Sequence, residues 1–260
     1  MNSLARRRYS KSAPVILVLA LLMALTALGF AASASTAEAS TTSASDIEEG
    51  EKLFAANCAS CHGLDAQGTD GVAPSLVGVG AAAVDFQVGT GRMPMQQSGP
   101  QVQEKQVQFS QEEILQLAAF VASLGDGPAI PTPEMVDAAL GNPAVGMEIF
   151  RTNCAMCHGS VGGGGALTQG KFAPNLWSTS PTHIYEAMLV GPQSMPVFND
   201  ANITPENKRN IIAYLEFQQD GSPGGLKLGT IGPVAEGFWG WLVGLGLIIA
   251  STIYVGARAS

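Results

Sequence analysis

The chain has 260 residues, of which 46% are hydrophobic and only 13% are charged, and its formal net charge at pH 7 is −8. Residues 38–236 contain all 21 acidic residues but only 8 of the 13 basic ones, which gives this segment a net charge of −13. Because nucleic-acid binding requires a basic patch, the composition argues against that class of protein and predicts no nucleic-acid partner.

The first 35 residues are predicted to be a signal peptide or an N-terminal membrane anchor. A basic cluster that ends at Lys11 precedes an uncharged run at residues 14–32, and small residues follow this run. The layout is typical of a secretory signal, although the run is longer than the usual apolar core of one. Its length approaches the ~20 residues that span a bilayer, so cleavage and retention both remain open. In either case the basic end stays in the cytoplasm and the chain that follows is exported.

Two stretches of the chain, residues 58–62 and 154–158, read Cys-x-x-Cys-His, which is the attachment signature of a c-type haem. Two thiols on one helical turn can add to both vinyl groups of a single porphyrin, and the following histidine then lies under the iron. A zinc site fits less well because the two cysteine pairs are 96 residues apart. A thioredoxin-like pair would sit in a βαβ pattern that we do not find. We predict two covalently attached haem c groups, bound by Cys58 and Cys61 with His62 as iron ligand, and by Cys154 and Cys157 with His158 as iron ligand.

The residues around the two motifs also repeat, which predicts tandem domains at residues 46–125 (the first repeat) and 142–219 (the second repeat). The matched pairs are Gly50 and Gly146, Phe54 and Phe150, Pro74 and Pro174, Gly89 and Gly191, and Met93 and Met195. Each repeat ends in a predicted helix, with N-caps at Ser110 and Thr204. Residues 126–141 and 220–237 are rich in Pro and Gly and are predicted linkers. Since no long alternating strand pattern appears, we expect an all-α fold.

Met93 and Met195 are predicted to be the second axial ligands, because they occupy equivalent positions before a proline. Methionine ligation raises the reduction potential of a haem, as an electron carrier requires. Met95 competes with Met93 for this role, and Met188 is a weaker rival to Met195. The third histidine of the chain, His183, would give bis-histidine ligation if it replaced Met195, or it is simply a residue near a helix N-terminus.

Pro74 and Pro174 are predicted to orient the proximal histidines. A histidine bound to a metal usually donates its other ring N–H to a nearby oxygen. The carbonyl group of each proline could accept that hydrogen bond. The alternative interpretation is that both residues are ordinary turn prolines.

Residues 238–257 are predicted to form a transmembrane helix. This run is uncharged, with Trp239 and Trp241 near one end and Tyr254 near the other, where interfacial aromatic residues are expected. Arg258 follows the run and predicts a cytoplasmic C-terminus. The haem domains are therefore expected on the extracytoplasmic side of the plasma membrane.

Each repeat resembles a class I cytochrome c domain in its Gly/aromatic helix, its Cys-x-x-Cys-His turn, its Pro loop, its Met ligand and its closing helix. The whole chain resembles the dihaem cytochrome cc subunit of the actinobacterial cytochrome bc complex, a menaquinol–cytochrome c reductase. The likeness rests on the tandem order, on the stretches GTGRMP at residues 89–94 and GPQSMP at residues 191–196, and on the C-terminal apolar helix.

The resemblance implies a function and a set of partners. The chain would be an electron-transfer subunit of quinol–cytochrome c reductase, without catalytic residues of its own beyond the haems. Its partners would be the cytochrome b and Rieske iron–sulfur subunits, and an aa-type cytochrome c oxidase in a supercomplex. The haem of Cys58 and Cys61 would face the oxidase, and that of Cys154 and Cys157 the Rieske protein.

Two rival functions share the same haem chemistry. One is a dihaem subunit of a cytochrome c oxidase or of a dehydrogenase on the outer side of the membrane. The other is a dihaem peroxidase, which would need an open sixth position at one iron. Because both repeats offer a Met-Pro ligand, the sequence argues against the peroxidase.

Overall fold

The computed structural model describes residues 43–97, 99–220 and 233–259. The predicted signal or anchor at residues 1–35 and most of the predicted linker at residues 220–237 lie outside them. Within the described residues the fold is helical, apart from one short antiparallel ribbon in the second repeat. The predicted all-α class is confirmed.

The first repeat consists of four helices. They are α1 (Ala44–Asn57), α2 (Ala59–His62), α3 (Ala81–Gly89) and α4 (Gln111–Ser123). The predicted N-cap of α4 is confirmed: the Ser110 hydroxyl accepts from the Glu113 N–H at 3.3 Å, and the Glu113 carboxylate accepts from the Ser110 N–H at 2.7 Å. This capping box satisfies donors that the first helical turn leaves unpaired.

The core of the first repeat forms where α1 crosses α4. The rings of Phe54 and Phe120 pack there with their centroids 5.2 Å apart. The two helix backbones approach so closely at Gly50 that a Cβ on this residue would overlap the carbonyl oxygen of Gln116. The glycine that repeats eight residues before each haem motif therefore allows the crossing.

The second repeat is built in the same way around α6 and α9. Its elements are α6 (Pro143–Asn153), α7 (Ala155–His158), β1 (Gly165–Ala166), β2 (Phe172–Ala173), α8 (Pro181–Val190) and α9 (Pro205–Asp220), with a 3-10 turn at Thr168–Gly170. Phe150 and Tyr214 pack with ring centroids 5.5 Å apart. A Cβ on Gly146 would overlap the carbonyl oxygen of Asn210, which matches the crossing at Gly50.

The predicted linker at residues 126–141 packs against both repeats. At its start, the Pro128 carbonyl oxygen accepts from the Ala82 N–H in α3 at 3.1 Å. Further along, α5 (Pro133–Val136) and a 3-10 turn (Ala138–Leu140) contact α9. Met135, Val136 and Ala138 provide this contact, because their side chains pack against the core of the second repeat.

The two repeats meet where α3 packs against α8. The Phe86 ring of α3 lies edge-on to the His183 ring of α8, with centroids 6.1 Å apart. Beside this contact, the side-chain amide of Gln101 pairs with the backbone of Phe172 through hydrogen bonds of 2.8 and 2.9 Å. The segment before α4 thus also belongs to the contact between the repeats.

The C-terminal helix α10 (Pro233–Ala259) contains the predicted transmembrane segment. Among the described residues, Gly237–Arg258 is the one helical stretch long and apolar enough to span a bilayer, and none of it is buried within the chain. Its tryptophans and Tyr254 are exposed, as they would be in contact with lipid headgroups.

Replacing the crossing glycines tests the packing of each repeat. We expect Gly50→Ala and Gly146→Ala each to lower the free energy of unfolding by about 1–3 kcal/mol, because the added methyl group meets backbone that cannot move aside. Glu51→Ala, at an exposed neighbouring position of α1, is the control and should change stability little. Denaturant titration of the haem-loaded protein measures the effect, and equal stability of Gly50→Ala and Glu51→Ala would contradict it.

Candidate haem sites

Each Cys-x-x-Cys-His motif begins where the first helix of its repeat ends. The Cys58 N–H donates to the Phe54 carbonyl at 2.8 Å, and the His62 N–H donates to the Cys58 carbonyl at 3.0 Å. Cys154 and His158 make the corresponding bonds at 2.8 and 2.9 Å. The two thiols and the histidine of each motif therefore lie on one helical turn, as attachment to a single porphyrin requires.

The first thiol of each motif faces the protein interior. Burial raises the pKa of Cys58 to about 11 and the pKa of Cys154 also to about 11, with the partner thiol of each pair contributing. Both thiols are therefore protonated at neutral pH in the folded chain. They act as small apolar groups at the edge of the core, which suits a side chain that joins an apolar ring.

His62 and His158, the predicted proximal ligands, each contact a proline carbonyl oxygen. The Nδ1 atom of His62 lies 2.8 Å from the Pro74 carbonyl oxygen, and that of His158 lies 3.0 Å from the Pro174 carbonyl oxygen. When Nδ1–H donates this hydrogen bond, Nε2 keeps its lone pair for a metal. Burial also lowers the pKa of His158, which favours the neutral imidazole that binds iron.

A glycine positions each of these loops. Gly68 has φ +86° and its N–H donates to the His62 carbonyl at 2.8 Å, while a Cβ on Gly68 would lie 2.6 Å from the carbonyl carbon of Pro74. Gly164, with φ +85°, makes the equivalent bond to His158. The tight turn therefore brings the proline carbonyl oxygen within hydrogen-bonding distance of the histidine ring.

In the second repeat the predicted site residues surround one cavity. The cavity has a volume of about 120 Å³ and opens to solvent. Its walls include Cys154, Cys157, His158, Pro174 and Met195, together with apolar side chains of α6, α8 and α9. A pair of thiols and an imidazole on one side, and a thioether within the same apolar cavity, form a donor set that fits a covalently bound haem.

The competing ligand candidates occupy different environments. Met93 and Met195 are partly buried and pack against the core of the first and the second repeat, respectively. Met95 is 43% exposed, whereas Met188 is 2% exposed and is part of the core. The assignment of Met93 and Met195 as axial ligands remains a prediction.

His183 lines the same cavity, but its ring nitrogen faces the first repeat. Its Nε2 atom lies 3.9 Å from the Asp85 carboxylate of α3. This contact involves one of the two ring nitrogens, so it does not test bis-histidine ligation. The structure therefore gives His183 a partner that the sequence did not reveal.

Residues of the first repeat complete the wall of this cavity, which sequence reasoning missed. The side chains concerned are Phe86, Thr90, Arg92, Gln101 and Glu104. Arg92 is buried, its guanidinium lies 4.9 Å from the centre of the Phe86 ring, and its Nη2 lies 3.8 Å from Glu104 Oε2. The only signal in the sequence was that Arg92 directly precedes Met93.

Replacing Gly68 and Gly71 distinguishes two contributions to the loss of stability. One is backbone strain, and the other is displacement of the Pro74 carbonyl group. Gly68→Ala and Gly71→Ala both place a methyl group at positive φ, but no described atom lies within 4 Å of the Gly71 Cβ position. We expect Gly71→Ala to cost about 1–2 kcal/mol of stability. Gly68→Ala should cost a further ~1–3 kcal/mol because it pushes Pro74 away from His62. Denaturant titration of the haem-loaded variants measures the difference, and equal losses would contradict it.

Comparison with known protein families finds the same match in both repeats. A family model described as cytochrome c oxidase, cbb3-type, subunit III matches residues 45–121 and again residues 141–215.

The chain is also similar to proteins named cytochrome bc1 complex cytochrome c subunit. The one from Corynebacterium diphtheriae is 38% identical over 98% of this chain and 97% of its own length. Those from Mycobacterium leprae and Mycobacterium tuberculosis are 40% and 39% identical, over 93% and 92% of this chain and 87% and 89% of their own lengths. The resemblance inferred from the sequence is confirmed, and the chain belongs to the family of cytochrome bc1 complex cytochrome c subunits, with two tandem cytochrome c domains.

Proposed function

We propose that this chain is a membrane-anchored dihaem c-type cytochrome that relays electrons from the Rieske protein of a quinol–cytochrome c reductase to a terminal cytochrome c oxidase. The observation that carries the proposal is the cavity of the second repeat, whose wall is completed by the first repeat. Arg92 in that wall directly precedes Met93, the predicted ligand of the other haem. Two redox sites held this closely within one chain suit a relay.

The residues of the chain would hold two haem c groups. Cys58 and Cys61, and likewise Cys154 and Cys157, would supply the thioether bonds. His62 and Met93 would bind one iron, and His158 and Met195 the other, while Pro74 and Pro174 orient the imidazoles. Haem c supplies one-electron oxidation and reduction of its iron. The protein sets the potential through the axial ligands and through burial of the site.

The membrane segment would place both repeats on the extracytoplasmic side of the plasma membrane. Arg258 follows the apolar part of α10 and favours a cytoplasmic C-terminus. Gly240 and Gly244 are four residues apart, a spacing that allows another helix to approach closely. The cytochrome b subunit would provide that helix.

The two sites differ in exposure, which supports different roles. In the first repeat Cys61 is exposed and His62 is partly exposed, whereas His158 in the second repeat is buried. We assign the first repeat to the oxidase and the second to the Rieske protein. Electrons would then pass from the second repeat to the first within the chain.

A second candidate function is a dihaem subunit of a cytochrome c oxidase or of a dehydrogenase. It is favoured by the description of the matching family model, which names an oxidase subunit. The partners of the chain distinguish the two functions, because the haem chemistry is the same in both.

The ligand assignment is tested by replacing methionines one at a time. We expect Met93→Ala and Met195→Ala each to lower the reduction potential of one haem by on the order of 0.1 V, because the thioether that favours ferrous iron is lost. Met95→Ala and Met156→Ala are the controls, at exposed positions of the same two repeats, and should leave both potentials unchanged. Redox titration followed by absorbance measures the shift. A shift with Met95→Ala instead of Met93→Ala would reverse the assignment in the first repeat.

The partners are tested by purifying the tagged chain from membranes in mild detergent. We expect it to bring down b-type haem, a Rieske cluster and quinol-oxidising activity, together with an aa-type oxidase. Haem spectra, electron paramagnetic resonance of the cluster and quinol oxidation provide the readouts. Recovery of oxidase subunits without b-type haem or a Rieske cluster would reject the proposed function in favour of the second candidate.

A further inference from the structure

The contact between α3 and α8 contains a cluster of three side chains, of which one, His183, also lines the cavity of the second repeat. Asp85 lies on α3, and His183 and Glu186 lie on α8. One ligand atom from each of the three falls within 4.8 Å of the other two. Asp85 and Glu186 are buried, and the imidazole of His183 keeps 21% of its side-chain surface exposed.

Glu186 is buried beside a second carboxylate, that of Asp85, and forms no ion pair with a cationic side chain among the described residues. Its exposed fraction is 0%, and neither of its carboxylate oxygens makes a hydrogen bond among the described residues. Burial, together with the neighbouring Asp85 carboxylate, raises the pKa of Glu186 to about 10. Two neighbouring buried carboxylates repel each other when both are ionised, and a cation bound between them would remove that repulsion.

We propose that Asp85, His183 and Glu186 bind a divalent metal ion of the Zn²⁺ type between the two repeats. An imidazole nitrogen and two carboxylate oxygens are ligands that Zn²⁺ accepts. His183 and Glu186 are three residues apart on α8, which places both on one face of the helix, as in helical metal sites.

The charges around the cluster fit a doubly charged cation. Asp85 and Glu186 supply two negative charges when both are ionised. The nearby Arg92 is paired with Glu104, with 3.8 Å between Nη2 and Oε2, so this pair adds no net charge. A bound divalent ion would replace the proton on Glu186 and neutralise the cluster.

Binding requires the three ligand atoms, which lie within 4.8 Å of one another, to move closer together. The His183 Nε2 atom lies 3.9 Å from the Asp85 Oδ2 atom. Ligands of tetrahedral zinc are about 3.4 Å apart when their bonds are about 2.0–2.2 Å long. Gln111 supports the other Asp85 oxygen, because its Nε2 lies 3.4 Å from Oδ1. The exposed side of the His183 ring leaves room for water as a fourth ligand.

The absence of a side chain at Gly89 allows the His183 imidazole to approach α3. A Cβ on Gly89 would lie 2.9 Å from the His183 Nε2 atom, which is tighter than real side chains allow. Gly89 therefore lets the imidazole lie against the end of α3. The metal ion would join the two repeats at this contact, and its binding does not depend on which proteins donate and accept the electrons.

The test uses the haem-loaded, membrane-extracted protein. Zinc and iron are measured by elemental analysis before and after treatment with a chelator, and Zn²⁺ is then titrated back. We expect one zinc per chain, and a thermal unfolding midpoint that falls on chelation and recovers with Zn²⁺. Glu186→Gln and Asp85→Asn should weaken Zn²⁺ binding at least about tenfold. Glu148→Gln, the same chemical change at an exposed carboxylate of α6, should bind Zn²⁺ as the unmodified chain does.

The substitution Glu186→Gln preserves the shape of the side chain. An unchanged haem spectrum would verify that the variant is folded. The proposal is overturned if the unmodified chain binds no zinc either as purified or after titration. It is equally overturned if the Glu186 and Asp85 variants bind Zn²⁺ as tightly as the Glu148 variant. The unmodified chain alone decides the first outcome, so the proposal remains testable even if both variants fail to fold.

Discussion

The close crossing of the first and last helix is the constraint on which each repeat depends. At Gly50 and Gly146 the helix backbones touch without an intervening side chain. This contact brings one aromatic ring from each helix into the core, Phe54 with Phe120 and Phe150 with Tyr214. Because the haem motif begins at the next residues of the chain, the crossing also sets where the cysteines and the histidine lie. The hydroxyl group of Tyr214 adds a bond of 2.6 Å to the Ser160 carbonyl just after the motif.

Much of this architecture follows from local sequence signals. Three features are encoded within a few residues each, so the sequence predicts them directly. They are the capping box at Ser110, the repeated glycines at the helix crossing and the two Cys-x-x-Cys-His turns. The contact between Pro74 and His62 is also local, since a tight loop that Gly68 permits joins them. The order of the elements therefore follows from the repeat.

The contact between the repeats could not be predicted in the same way. It joins Asp85 to His183 and Gln101 to Phe172, residues far apart in the chain that belong to no shared periodic pattern. The packing of the linker at residues 126–141 could not be predicted for a related reason. Its prolines and glycines indicate a break in secondary structure, but they do not exclude packing, and Met135 adds apolar surface that the core of the second repeat buries. Long-range burial of this kind depends on the tertiary fold.

The burial of the first thiol in each motif has a consequence for the order of assembly. A thiol addition needs an accessible and partly ionised sulfur, whereas Cys154 is 9% exposed and its pKa is raised to about 11 by burial. The folded chain is therefore a poor acceptor for the porphyrin. We expect attachment to precede the final closure of the helices around Cys154. Haem loading and the folding of this segment would then be coupled.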